Sequence, residues 1–175
     1  MLRALAVGML LLILAILPGS GRATTLNELQ VGIRVVDFMS KPPHGKSPLA
    51  LIYDPQVKVS VDDALSLSNW LSSNSAASKD ELVPVLVDVR QLDENPTFQI
   101  GFIAAGMERH YGRIFDYARR NQTLTISADL SCVRAGKCTV GVVGTPRVEV
   151  VISQQAALSC GIEFSEAFRM MVTEN

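Results

Sequence analysis

The sequence predicts an α/β fold: a three-layer α/β/α sandwich on a mixed, largely parallel sheet, with an antiparallel hairpin near the C-terminus. Three observations predict it. Apolar segments of strand length alternate with helical ones along most of the chain, an order that calls for crossover connections and so for parallel strands covered on both faces. Two β-branched runs near the C-terminus are joined by Gly144-Thr145-Pro146, which is a tight hairpin connection. Finally, 48% apolar and 19% charged residues in a chain of 175 is a globular composition of single-domain size.

The chain opens Met1-Leu2-Arg3, runs apolar from Ala4 to Leu17 and breaks at Pro18-Gly19-Ser20. That run is shorter than the about 20 residues of a membrane span, and Gly21 and Ala23 place small residues at the minus-three and minus-one positions of a cut. Residues 1–23 are expected to be a cleaved signal peptide. Residues 24–175 then form one exported, mildly acidic domain with no direct membrane insertion after cleavage.

From Leu26 to about Met39 the spacing is helical, with apolar residues on two sides. Leu26, Leu29, Ile33 and Val36 share one side, and Val31, Val35 and Phe38 the other. One sheet cannot cover both, so Val31, Val35 and Phe38 are candidates for a homodimer interface. Pro42-Pro43 ends the helix, and Leu49 to Tyr53 reads as a short buried strand. Ser60 reads as the cap of a second helix with Asp63 at its third position. Ala64, Leu65, Ser68 and Leu71 lie on one face and Trp70 off it. The polar run from Ser72 to Ser78 is a loop rather than a domain boundary.

Leu82 to Val89 and Phe98 to Ala104 read as strands on either side of a loop containing Asn95-Pro96. Met107, Tyr111, Ile114 and Ala118 form the buried stripe of the next helix. Its other side carries Arg109, Arg113 and Arg120, with Asp116 spaced to pair with Arg113 and Arg120, so a solvated charged face is expected. Leu124 to Ile126 is a short strand, Thr139 to Val143 and Arg147 to Ile152 make the hairpin, and the closing helix starts at Ser153 and breaks at Gly161. On the last hairpin strand Val148, Val150 and Ile152 alternate inward. That leaves Arg147, Glu149 and Val151 outward as a candidate partner-binding surface.

Sixteen Lys+Arg against seventeen Asp+Glu leave no basic excess for nucleic acid. Two histidines and three cysteines make no convincing metal site, and neither glycine-rich nucleotide cradle occurs, so no metal, cofactor or catalytic residue is assigned. The acids Asp54, Asp62, Asp63, Asp88 and Asp93 fall near strand ends, where α/β sheets place ligands but where structural caps also collect. In an exported chain Cys132 and Cys138 are expected to be bonded, and the odd Cys160 to be a buried small hydrophobe.

From about residue 98 onward the series resembles the YfiR-like family of periplasmic regulators. The carrying stretch is a strand and helix, then Leu124-Thr125-Ile126-Ser127-Ala128-Asp129, a loop with cysteines and glycine, the hairpin Thr139 to Ile152, and the closing Ala156-Ala157 and Gly161-Ile162-Glu163-Phe164-Ser165. The resemblance implies a homodimeric periplasmic protein without an active site. Its partner would be the sensor portion of an inner-membrane diguanylate cyclase, whose cyclic-di-GMP synthesis it restrains; a histidine kinase is the other receiving sensor expected. The family's local disulfide maps onto Cys132 and Cys138. The rival reading is a small-molecule-binding protein of single-lobe solute-receptor type, with its ligand at strand ends near Asp54 and Asp88. An exported hydrolase is the third.

Overall fold

The computed structural model describes residues 21–74, 82–94 and 97–175. The apolar run from Ala4 to Leu17 lies outside the described residues, as do Ser75 to Ser78 of the polar loop and Asn95-Pro96. The chain passes through α1 (Leu26–Val35), β1 (Ser47–Tyr53), α2 (Lys58–Ser73), β2 (Leu82–Asp88), β3 (Ile100–Ile103), α3 (Tyr111–Asn121), β4 (Leu124–Ser127) and α4 (Leu130–Arg134). It continues through β5 (Val140–Val143), β6 (Glu149–Ile152), α5 (Gln154–Cys160), α6 (Glu166–Arg169) and β7 (Thr173–Glu174). Short 3-10 turns occupy Val36–Phe38, Val89–Glu94 and Glu108–His110.

Among the described residues the sheet has seven strands in the order β2-β1-β3-β4-β5-β6-β7. Every neighbouring pair is parallel except the hairpin β5–β6. This is the mixed, mostly parallel α/β architecture the alternating elements predict. The two-residue period of a strand splits the core into two layers. Leu49, Leu51, Ile100, Phe102, Leu124 and Ile126 face α1, α2 and α5. Ala50, Ile52, Ile103 and Val151 face α3 and α4.

The helix α1 starts at a capping box: Thr25 Oγ1 accepts from Glu28 N at 3.3 Å, and Glu28 Oε2 accepts from Thr25 N at 2.8 Å. It lies so close to the sheet that a Cβ on Gly32 would sit 2.9 Å from Ile126 Cγ2 and 3.2 Å from Phe102 Cε2. The second apolar side of α1 is covered within the chain. Ser165 N donates to the Phe38 carbonyl at 2.9 Å, Ser40 N donates to the Glu163 carbonyl at 2.8 Å, and the Phe38 ring stacks on Phe168 with centroids 4.5 Å apart. Val35, one turn from Gly32, is buried on the sheet side of α1, Val31 is half-buried and Phe38 stays 36% exposed beside its stacking partner, so the three do not form one free stripe and Val35 is corrected as a dimer residue. The missing cover is the C-terminal segment around α6, distant in sequence.

Two further expectations change. Ser60 does not cap α2, which begins two residues earlier behind Val57; its hydroxyl instead accepts from Asp54 N at 3.0 Å. The stripe Met107, Tyr111, Ile114 and Ala118 is buried as expected. The opposite arginines, however, pair differently: Asp93 takes Arg120 at 2.9 Å and Arg113 at 3.8 Å, and Asp116 takes Arg119 at 3.9 Å. Among the described residues no helix is long and apolar enough to cross a membrane.

Candidate functional site

In this strand order the chain leaves β1 toward β2 on one side and returns to β3 on the other. The loops at the carboxyl ends of β1 and β3 therefore diverge and open a crevice. A cleft of about 270 Å³ lies next to it, between the ends of β3 and β4, lined by Ala104, Ala105, Gly106 and Glu108 after β3, by Ser127, Ala128 and Asp129 at the end of β4, and by Gly21, Arg22 and Thr24. Gly106 has φ +71° with Val59 Cγ1 2.8 Å from where its Cβ would be, so the loop makes its turn over α2 on a residue without a side chain.

Four acids fix this end of the sheet, Glu28, Asp54 and Asp63 buried and Asp129 half-buried. Asp54, 2% exposed, accepts from Gln56 N at 2.9 Å and lies 2.8 Å from His110 Nε2 and 3.8 Å from Arg109 Nε. Burial pushes its carboxyl up, but the Gln56 N–H, the His110 hydrogen bond and the charges of His110 and Arg109 outweigh that and hold it below the ordinary aspartate value. Asp63 accepts from Thr24 N at 2.8 Å and from Ala105 N at 2.9 Å. Asp129 accepts from the Tyr111 hydroxyl at 2.6 Å and from Ser131 N and Oγ at 2.8 Å each. Burial raises Asp129 too, yet these bonds, with Arg134, bring it below its usual value, while burial and the Asp129 carboxylate push the Tyr111 phenol well above its own. Glu28, fully buried, accepts from Arg22, from Thr25 N and from Gly144 N at 2.9 Å. Burial opposes its ionisation, and Arg22 with the backbone donors prevails.

These carboxylates accept hydrogen bonds from donors of their own chain. What the geometry provides is loop positioning, with the β1, β3 and β4 ends tied to α2, α3 and the segment before α1. Asp88 closes β2 at this same end of the sheet, in register with Tyr53, and is paired with Arg90 at 2.7 Å; Asp93 pairs with Arg120 at 2.9 Å and Asp62 with Lys58 at 2.6 Å. Among the described residues no three of His, Cys, Asp and Glu gather as a metal site. The capping box at Thr25-Leu26-Asn27-Glu28 was a visible signal for Glu28. The Asp54–His110 and Tyr111–Asp129 contacts join residues 56 and 18 positions apart and have no sequence signature.

Of the expected partner surface on β6, Arg147 and Glu149 are exposed, and Glu149 accepts from Thr173 Oγ1 at 3.3 Å. Val151 is not outward. It is 6% exposed, because α4 and the cysteine loop cover that face and Val151 packs in one cluster with Cys132 and Cys138. Val148, expected inward, is 51% exposed beyond the end of the strand. The large apolar exposure lies further on: Leu158 is 80%, Met170 78% and Met171 68% exposed. Leu158 borders a groove of about 340 Å³ that also takes in Ile162, Phe164 and Arg169, and Met170 and Met171 follow directly on that arginine.

Cys132 and Cys138 form a disulfide, with Cα atoms 5.3 Å apart and both side chains fully buried. Reduction should lower the unfolding free energy by about 2 kcal/mol, the chain-entropy value for so small a loop. Urea titrations with and without reductant measure this directly. Cys160 is buried, and burial pushes its thiol up to about 11, which suits packing and not nucleophilic attack.

No protein-family model matches the chain, and no curated protein matches it in sequence. Solved structures do share the fold. The ABC domain in complex with L-Trp from Streptococcus pneumonia aligns with TM-score 0.62 at 9% identity, over 85% of this chain and 62% of that one. A conserved domain protein from Vibrio cholerae aligns with TM-score 0.60 at 14% identity, over 87% of this chain and 60% of that one. The chain thus spans less than two thirds of the length of either.

Proposed function

We propose that this chain is an exported, non-enzymatic regulator that docks on the periplasmic sensor portion of an inner-membrane signalling protein. The receiver is a diguanylate cyclase, whose cyclic-di-GMP output it restrains, or a histidine kinase. The observation that carries the reading is the exposure of Leu158, at the border of a groove of mixed polarity, and of Met170 and Met171, which follow Arg169 of its lining. Large flexible apolar side chains left in water suit contact with another polypeptide. The stretch that resembles the YfiR-like family runs from β4 through the disulfide loop and hairpin to α5 and supplies Ala157, Ile162, Glu163 and Phe164 of this groove. A regulator of this kind acts by binding one state of its receiver more tightly than the other, so output follows the supply of free protein.

The test is capture from a membrane extract by the immobilised protein, with captured chains identified by mass spectrometry. A membrane sensor with an exported domain is expected. The double variant Met170→Asp/Met171→Asp should weaken that binding at least about 30-fold, the effect of losing a binding hot spot of 2 kcal/mol. Its melting temperature should match the parent's, because both side chains are already in water. Undiminished binding by that variant would remove this surface from the proposal.

A second reading, a small-molecule-binding protein of single-lobe solute-receptor type, is favoured by the cleft at the ends of β3 and β4. A structure of the same fold is described as a complex with L-Trp. Thermal-shift titration with amino acids discriminates the two. A metabolite that raises the melting temperature, with no sensor recovered from membranes, replaces the regulator with the binder.

A further inference from the structure

Asp63 is a carboxylate 2% exposed on α2, and no ion pair joins it to a cation among the described residues. Its donors are Thr24 N at 2.8 Å, the Thr24 hydroxyl at 2.9 Å and Ala105 N at 2.9 Å. Two of these come from one residue, and the peptide bond preceding that residue follows the small residues Gly21 and Ala23 that match a processing site. Ala23 is exposed and Thr24 half-buried, so the bond offers an accessible strand on one side and an anchored one on the other. We propose that the chain is processed between Ala23 and Thr24 and that Asp63 captures the new α-ammonium of Thr24 as an ion pair.

Hydrolysis by an endopeptidase adds one water across the bond. The hydroxyl goes to the Ala23 carbonyl carbon and a proton to the Thr24 nitrogen as the C–N bond breaks; the amine then takes the proton that the new carboxylic acid gives up at neutral pH. The nitrogen need not move, because 2.8 Å is already the distance of a charge-assisted hydrogen bond. The other charged groups nearby are engaged. Lys58 and Asp62, which border the same recess, pair with each other, and Glu28 keeps the Thr25 and Gly144 N–H donors when Arg22 departs. Gly21 and Arg22 also line the cleft beside β3 and β4, so processing widens it. None of this depends on what docks beside α5.

The full chain is expressed in an exporting bacterium and its N-terminus read by intact mass and terminal sequencing. Thr24 as first residue is expected; an uncut chain or any other first residue overturns the proposal. On the processed protein, acetic-anhydride labelling of the Thr24 amine across pH gives its titration when folded and when unfolded in urea. An ion pair keeps the amine protonated to higher pH, so labelling at pH 8 should be at least tenfold slower in the folded chain and recover toward pH 10. Burial without a pair moves the titration the opposite way. A folded amine that titrates at or below the unfolded one overturns the capture. Asp63→Asn should abolish the upward displacement, and the parent titration decides alone if that variant does not fold. The sign follows: stability from the pair is complete below the unfolded amine value of about 8 and is lost as pH rises through the folded one.

Discussion

A Phe102→Ala chain should unfold with about 3–5 kcal/mol less free energy than the parent, the largest loss expected of any single truncation in this core. Phe102 is fully buried on β3, between β1 and β4, with α1 laid directly over it at Gly32. Close approach of helix and sheet leaves no side chain able to swing into the vacated space, so the cavity persists and its cost adds to the lost burial. Urea denaturation followed by circular dichroism measures the change. Leu158→Ala is the control: at 80% exposure it should alter stability by no more than about 0.5 kcal/mol. A Phe102→Ala loss below about 1 kcal/mol would mean that α1 does not sit on the sheet as described.

The second large effect concerns Glu28. Glu28→Ala removes the buried carboxylate that accepts from the half-buried Thr25 and Gly144 N–H groups, each bond to a charged acceptor contributing about 1–3 kcal/mol, and so detaches the β5–β6 turn from α1. Glu28→Gln keeps an acceptor and should be milder. The same residue shapes the response to acid. In the unprocessed chain, which carries Arg22, burial favours the neutral form of Glu28, Asp54 and Asp129, but hydrogen bonds and neighbouring cations prevail and each carboxyl is held below its ordinary value. A carboxyl so depressed in the folded state stabilises it above the unfolded value and ceases to do so as pH falls through the folded one. Stability of the parent should therefore be level from neutral pH to about pH 5 and drop below about pH 4, and Glu28→Gln should show a shallower drop. Equal acid slopes in parent and variant would show that Glu28 is not ionised in the native protein.

Much of the architecture could be read from residues one period apart. The stripe Met107, Tyr111, Ile114 and Ala118 and the apolar run from Leu49 to Tyr53 are local patterns, and the structure has a buried helix face and a buried strand there. What escaped was the covering of faces by distant segments. Nothing near Phe38 announces that Phe168 will stack on it, and nothing near Val151 announces that the Cys132–Cys138 loop will close that side. The candidate site was legible only in part. Acids at strand ends were noticed, but a buried carboxylate is defined by its donors, and the partners of Asp63 and Asp54 lie 39 and 56 residues away. Leu158, Met170 and Met171 were unreadable for the opposite reason, since an apolar residue carries no mark saying that it will remain in water.

The ladder arrangement also sets the order in which the molecule can assemble. Of the six strand pairings five are parallel, and each needs its intervening crossover brought together before any inter-strand bond forms. Only β5 and β6, joined by a short turn, can meet early. The C-terminal third thus nucleates while β1 and β2 wait for neighbours, and refolding should run slower than in a helical bundle of equal length. A chain with this topology should spend its vulnerable interval with the first strands unpaired.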